Sequence, residues 1–384
     1  MARRSQGDQH GRPLVLHVIP APRGRGAQRA ARELVDGLND RAGRSPAGSA
    51  RLRHELLALF AGPPEVAVDR TLEHRGRGGT STGLSLALVA KLARTLHECD
   101  PSAVVAHGGD ALKPLAAATL GRHRPLVYCA IGTYGGSVHG WQGALWRALL
   151  RRCDRIVAVG DEVLDECVNR LGADPVATSL IPNGRDPAVF HPREAATGAT
   201  GEPVVGFVGA LTTQKQPDRF LEVVEALRSR QCRFRAMLVG DGPLRAALEP
   251  RARAAGVDVL GQRDDVDAVL RDIDVLVFPS KPTGEGMPGV LIEAGLSGIP
   301  VVATAVPGVH AVVVDGETGL VVPDDARSLT DAVASLLDGP ERRKALGTAA
   351  ACRCRRHFTT AAMVEQWDDL LHELVEAGQA SRPR

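Results

Sequence analysis

The feature that most constrains this chain is a rhythm that runs twice. Short apolar, β-branched segments alternate with longer amphipathic ones. In the first half the runs are LVLHVI (14–19), LRHELLALF (52–60), AVVAH (103–107), PLVYCAI (125–131) and RIVAV (155–159). In the second they are VVGFVG (204–209), RAMLVG (235–240), VDVLG (257–261), DVLVFPS (274–280) and PVVAT (300–304). Helical spacing fills the gaps, as in 27–38, 84–97, from Pro217, from Pro243, and through 290–296. The tail is expected to be helical over 326–337 and 358–377. Strands that alternate with helices predict βαβ units and a parallel sheet. Between 181 and 203, IPNGRDPAVFHPREAATGATGEP is rich in Pro, Gly and small polar residues and reads as a linker. Two parallel-sheet domains are therefore expected, with a ligand between them at the strand C-terminal edges.

Composition narrows the function. A length of 384 residues fits two domains, and aromatics at 3% leave too few stacking platforms for single-stranded nucleic acid. Residues 1–190 hold 25 Lys and Arg against 18 Asp and Glu (25 − 18 = +7), whereas residues 191–384 hold 22 against 27 (22 − 27 = −5). The basic half suits an anionic partner, a phosphorylated substrate or a lipid surface, although solvated Arg alone would read the same. Seven Cys at unpaired spacings argue against a disulfide framework. Cys352, Cys354 and His357 are too crowded on one helix for a tetrahedral metal site. No apolar run is long enough to span a membrane, and none after the basic N-terminus is long enough for a signal peptide. The expectation is a cytoplasmic protein. GWQGALWRALLRRCDR (140–155) has an apolar stripe beside four Arg, which fits either a helix packed on the sheet or peripheral contact with the inner membrane face.

The most informative segment is FPSKPTGEGMPGVLIEAGLSGIPVVAT (278–304). A strand ends near Ser280, a Gly/Pro loop follows, and a helix starts near Pro288. Glu285 stands at the helix entrance and Glu293 about two turns in. Gly286 and Gly289 allow close backbone approach, and first-turn N–H groups suit an anion such as a diphosphate. The two carboxylates suit sugar hydroxyls. A capped helix with one surface Glu would look the same. In GFVGALTTQKQPDRFLEVVEAL (206–227), Lys215 precedes the Pro that opens a helix, a sound place for a diphosphate clamp or for a plain surface Lys.

Together these segments resemble glycosyltransferase family 4, retaining enzymes of the GT-B fold. The Glu285/Glu293 segment carries the resemblance. VGALTTQKQPDRFL, LVGDGPLRAALE (238–249), IPNGRDPAVFHP (181–192) and DRIVAVGDEVLDECVNRLG (154–172) follow the family's order. The resemblance implies two Rossmann-like domains: 1–182 binding acceptor, a linker at 183–203, 204–356 binding a nucleotide sugar, and 357–384 crossing back. It implies that Glu293 holds the ribose, Glu285 orients the transferred sugar, and Lys215 neutralises the diphosphate. Gly286, Met287, Pro288 and Gly289 would surround the sugar and phosphate. Gly24 and Gly26 would approach the diphosphate from the first domain. His107 would lie near the donor sugar, and Arg263 near the nucleobase. It also implies a UDP- or GDP-sugar donor, a glycan, lipid-linked or small-molecule acceptor, and no cofactor or metal.

The chain departs from the family at Ala210, where many members carry a phosphate-binding Arg. Arg25 also splits the first-domain glycines. A catalytically silent nucleotide-sugar-binding protein and a sugar-nucleotide epimerase remain alternatives. A Rossmann oxidoreductase is disfavoured because GRGAQR lacks the third Gly and LALFAG ends without an acid. Asp265, Asp267, Asp272 and Asp274 are expected to be solvated turn and cap residues rather than metal ligands. His17 is expected to be a core or rim residue, His310 a loop residue, and His139 a candidate acceptor contact.

Overall fold

A computed structural model describes residues 11–23, 26–44, 52–74, 85–121, 124–133, 140–193, 201–281 and 286–380. The chain divides into two compact units, 1–183 with 360–384, and 184–359.

In the first unit the order is β1 (Leu14–Ile19), α1 (Gly26–Arg44), β2 (Arg53–Phe60), β3 (Arg70–His74), α2 (Leu86–Cys99), β4 (Ala103–His107) and α3 (Gly109–Ala118). Then follow β5 (Leu126–Ala130), α4 (Gly140–Leu150), β6 (Arg155–Ala158), α5 (Asp161–Asp165) with a π-turn through Arg170, and β7 (Thr178–Leu180). The strands form one parallel sheet in the order β3-β2-β1-β4-β5-β6-β7. β1, β4 and β5 are buried along their whole length, which is why they read as unbroken apolar runs. α1 lays Ala31, Leu34, Val35 and Leu38 inward at helical spacing. α4 buries Trp146, Leu149 and Leu150, and Trp146 lies 6.2 Å from Tyr128 between ring centroids. Trp141 on the same helix is 70% exposed.

The second unit runs β8 (Val204–Val208), α6 (Pro217–Ser229), β9 (Arg235–Val239), α7 (Arg245–Ala254), β10 (Val257–Gly261), α8 (Val266–Arg271) and β11 (Val275–Phe278). It continues with α9 (Gly289–Leu296), β12 (Val301–Thr304), α10 (Val309–Val312), β13 (Gly319–Val322), α11 (Ala326–Asp338) and α12 (Pro340–His357). Its parallel sheet has the order β10-β9-β8-β11-β12-β13. Phe220, Val224 and Leu227 of α6 pack with Phe207, Val277 and Leu329 in the core. α12 packs on α9 through small residues. A Cβ on Gly347 would strike the carbonyl of Gly298, and one on Gly295 would strike Cys354 Sγ.

After Thr359 the last helix, α13 (Thr360–Ala380), belongs to the first unit. It buries Met363, Trp367 and Leu371, and Arg41 of α1 donates to Asp368 at 2.9 Å. In each sheet the strand order reverses direction once, between β1 and β4 and between β8 and β11. Open parallel sheets bind ligands beyond the strand C-termini at that point.

Candidate active site

The reversal point of the second unit gathers most of the residues singled out from sequence. β8 ends at Val208, and the loop after it turns back on itself. There the Lys215 N–H donates to the Thr212 carbonyl at 3.1 Å. Gln216 follows at φ 49°, a left-handed residue that directs the chain into Pro217 at the start of α6. This geometry sets the Lys215 ammonium 4.9 Å from the ring centre of Phe278, the last residue of β11. The Lys281 N–H donates to the Gln214 carbonyl at 2.9 Å and ties the two loops together. The hydroxyl of Ser280 and the side-chain oxygen of Gln216 are buried here without a partner.

β11 leads to α9. Gly286, Met287 and Pro288 are buried, and Pro288 precedes the first helical residue, Gly289. Gly308, at φ 76°, lies so close that a Cβ there would collide with the Gly286 carbonyl. Glu293 sits one turn into α9. Its Oε1 accepts from Arg185 Nε at 2.7 Å, with side-chain exposures of 16% and 5%. Arg185 also donates from Nη1 to the Gly184 carbonyl at 2.9 Å, and its N–H donates to the Phe358 carbonyl at 2.9 Å. A Cβ on Gly289 would collide with Arg185 Nη2, so only Gly leaves room for the guanidinium beside the helix start. Sequence reasoning missed Arg185. It lies in the segment read as a linker, and only the folded chain brings it to Glu293. The unit thus presents a Lys, a buried Arg, a partly buried carboxylate and the first N–H groups of a helix, a set that can bind an anion and hydroxyl groups.

Arg263 is held by Asp265 through Nε–Oδ1 at 2.7 Å and Nη2–Oδ2 at 2.5 Å. That bond raises the guanidinium pKa and lowers the carboxylate's. Asp267 accepts from Arg271 at 2.8 Å, and Asp274 accepts from the Val204 N–H at 2.8 Å. Ala210 is exposed just past β8, and His310 is exposed on α10. Glu285, Gly24, Arg25 and His139 lie outside the described residues.

In the first unit Gly26 opens α1, and among the described residues a Cβ added there would meet no atom within 4 Å outside its own helix and chain neighbours. His107 closes β4 and is only 4% exposed. It belongs to a row of three imidazoles that runs across β2, β1 and β4. His17 Nδ1 is 3.1 Å from His107 Nε2, and His17 Nε2 is 3.2 Å from His54 Nδ1. Trp367 of α13 covers His107 at 6.3 Å between ring centroids. Burial drives all three pKa values down: His54 to about 3, His107 to about 4, and His17 well below its ordinary value, with its two neighbours adding to the effect. The rings are therefore neutral, one proton each. His54 Nε2 is buried with no partner. A buried N–H without an acceptor is the rarer defect, so the row is ordered with that nitrogen bare. His54 then donates to His17, His17 donates to His107, and the His107 proton sits on Nδ1.

Residues 24–189 match the family model described as Glycosyltransferase Family 4, and residues 202–339 match Glycosyl transferases group 1. Over 265 residues the chain is 34% identical to D-inositol 3-phosphate glycosyltransferase of Kineococcus radiotolerans, covering 61% of this chain and 60% of that protein. Over 252 residues it is 32% identical to the enzyme of the same name from Corynebacterium efficiens, covering 60% and 58%. The matches thus span about three fifths of the relatives' length. Among solved structures, Anabaena HepE in complex with UDP and glucose superposes with a TM-score of 0.74 at 19% identity, over 93% of this chain and 99% of that one. Sucrose-phosphate synthase from Thermosynechococcus elongatus superposes with a TM-score of 0.73 at 19% identity, over 95% and 100%. At such identity the likeness shows the fold, two Rossmann-like parallel-sheet units of the GT-B type.

Proposed function

The chain belongs to glycosyltransferase family 4, and from that membership we propose that it transfers a sugar from a nucleotide-diphospho-sugar to an acceptor hydroxyl with retention of configuration and without a metal. The observation that carries this reading is the grouping of Lys215, Arg185, Glu293 and the start of α9 at the reversal point of the second sheet. Departure of a nucleoside diphosphate builds negative charge on its phosphates. Lys215 and the α9 N–H groups are fixed before reaction, so they stabilise that charge more in the transition state than in the ground state. Glu293, oriented by Arg185, accepts hydrogen bonds from the nucleotide ribose. Glu285 orients the transferred sugar, and the leaving phosphate takes the acceptor proton as the new bond forms on the same face. Arg263 serves the base.

UDP is the first carrier to test, because a structural neighbour was solved with it. D-inositol 3-phosphate is the first acceptor, because relatives are named for it. A phosphorylated acceptor also suits the basic first half of the chain. We assign the enzyme to the cytoplasm, a reading supported by seven free cysteines. Among the described residues no helix is long and apolar enough to cross a membrane. Trp141 and Arg147, both exposed on α4, leave this helix as the place where peripheral membrane contact would occur.

Titration calorimetry with UDP, GDP, ADP and dTDP, in chelator, tests the reading on wild type and Glu293→Gln. Micromolar binding of one nucleotide, weakened at least tenfold in the variant, supports it. Binding without transfer to any acceptor would favour the silent module, and sugar interconversion without acceptor would favour the epimerase.

A further inference from the structure

The second unit has another concavity, at the opposite edge of its sheet. It is a cavity of about 900 Å³ bordered by Asp274 and Pro300, the residues just before β11 and β12. Nucleotide binding uses the strand C-terminal edge, so this N-terminal edge is not absorbed by the proposed function. Six cations line it: Arg193, Arg271, Arg343, Lys344, Arg355 and Arg356. Only Asp274 and Glu341 oppose them (6 − 2 = +4), within a half of the chain whose own balance is −5.

Arg271 and Arg193 hold Asp267 and Asp274 at 2.8 and 3.7 Å, but three of the six cations are not ordinary paired surface residues. Elsewhere in this unit Arg245, Arg251 and Arg253 each hold a carboxylate at 2.7–3.0 Å. Among the described residues, Lys344, Arg355 and Arg356 hold none. They stand on one side of α12 because Arg355 lies three turns from Lys344 and Arg356 continues the series Lys344, Thr348, Cys352 spaced by four. The floor differs in kind: Leu270, Ile273, Ile299 and Pro300 are buried apolar residues. Ser297, 5% exposed, also lines the cavity, and its hydroxyl is buried with no hydrogen-bond partner. Pro340 and Glu341 bring the start of α12 to the rim, where first-turn N–H groups lack helical partners.

We propose that this cavity binds an organic phosphate, its anion held by Lys344, Arg355 and Arg356 and its body resting on the apolar floor within reach of Ser297. An isolated buried hydroxyl is stabilised by gaining a partner, and guanidinium groups that hold no carboxylate, Arg356 with Cys352 Sγ at 3.9 Å among them, suit phosphate oxygens.

The test uses the full chain and phenyl phosphate, with inorganic phosphate for comparison. Calorimetry is run on wild type, on Lys344→Ser/Arg355→Ser/Arg356→Ser, and on Lys215→Ala. The triple variant changes only exposed residues, so the fold is retained. The expected result is binding of phenyl phosphate that is tighter than inorganic phosphate, at least tenfold weaker in the triple variant, and unchanged in Lys215→Ala. Flotation with phosphatidylglycerol vesicles, set against phosphatidylcholine, separates the sources. Flotation lost in the triple variant assigns the phosphate to a lipid headgroup, and calorimetric binding without flotation assigns it to a soluble ligand. Neither signal, an equal signal in the triple variant, or loss only in Lys215→Ala overturns the proposal.

Discussion

Arg185 reaches across 108 positions of sequence to donate to Glu293 at 2.7 Å, and both side chains are largely shielded from water. Removing one partner of such a pair strands the other charge, which costs about 3 kcal/mol or more. Arg185→Met should lower unfolding stability by that order, and Arg185→Met/Glu293→Gln should recover most of it. Urea denaturation measures both. A double variant as unstable as the sum of its singles would mean the two residues are not coupled.

Gly289 has no room for a side chain, because Arg185 Nη2 occupies the space. The guanidinium cannot swing away without releasing Glu293. Gly289→Ala should therefore weaken nucleotide binding about tenfold, or ~1.4 kcal/mol, with a smaller loss of stability. Unchanged affinity would show that nothing bound depends on this approach.

The Lys215 ammonium lies over Phe278, and its residue stands two positions before α6 begins. Lys215→Met keeps the apolar stem and removes the charge. It should weaken diphosphate binding by about tenfold, while the bare nucleoside binds as before. If the nucleoside and the diphosphate weaken together, the residue shapes the loop and does not hold phosphate.

The imidazole row makes stability depend on acid. The three rings are neutral in the native state, whereas in the unfolded chain each titrates near 6.5. Between pH 6.5 and about 4, the unfolded state binds protons that the native state refuses. Stability contributed by each ring is full above 6.5 and falls with pH, by at most about 1.4 kcal/mol per unit. His54→Gln should flatten the stability curve by one such slope. Parallel curves for variant and wild type would remove His54 from the account.

The ordering of the row has a spectroscopic signature. Nitrogen-15 shifts should place the His107 proton on Nδ1 in wild type. His17→Phe should leave His107 a mixture of tautomers. The same spectrum in both proteins would show that His17 does not fix the proton.

What could be read from sequence follows from burial. β1 and β4 stand out with their observed bounds because a central strand, covered on both faces, is apolar throughout or nearly so, whereas the edge strand β10, partly exposed, is marked by the glycines at 256 and 261. β3 (RTLEH) and β7 (TSL) are short edge strands with polar residues in their sequence, and they leave no such mark. α12 is also faint. Its buried face is Gly347, Ala350, Ala351 and Cys354 beside Leu346, since only small residues fit against Gly295 and Gly298. The Lys215 and Glu293 segments were legible from their loop-to-helix chemistry. Arg185 was not, because a Pro/Gly-rich stretch says nothing about where its side chain will fold back. His17 and His107 drew attention one at a time. Their union with His54 depends on the strand order β2-β1-β4, which no local pattern encodes.

Each ring of that row can give away its proton in only one direction at a time. If one tautomer reverses, its neighbour must reverse as well, so the row has two collective settings rather than independent ones. The reversed setting would leave a proton on His54 Nε2, buried without an acceptor, so burial at one end of the row fixes the tautomer of the last side chain of β4 at the other.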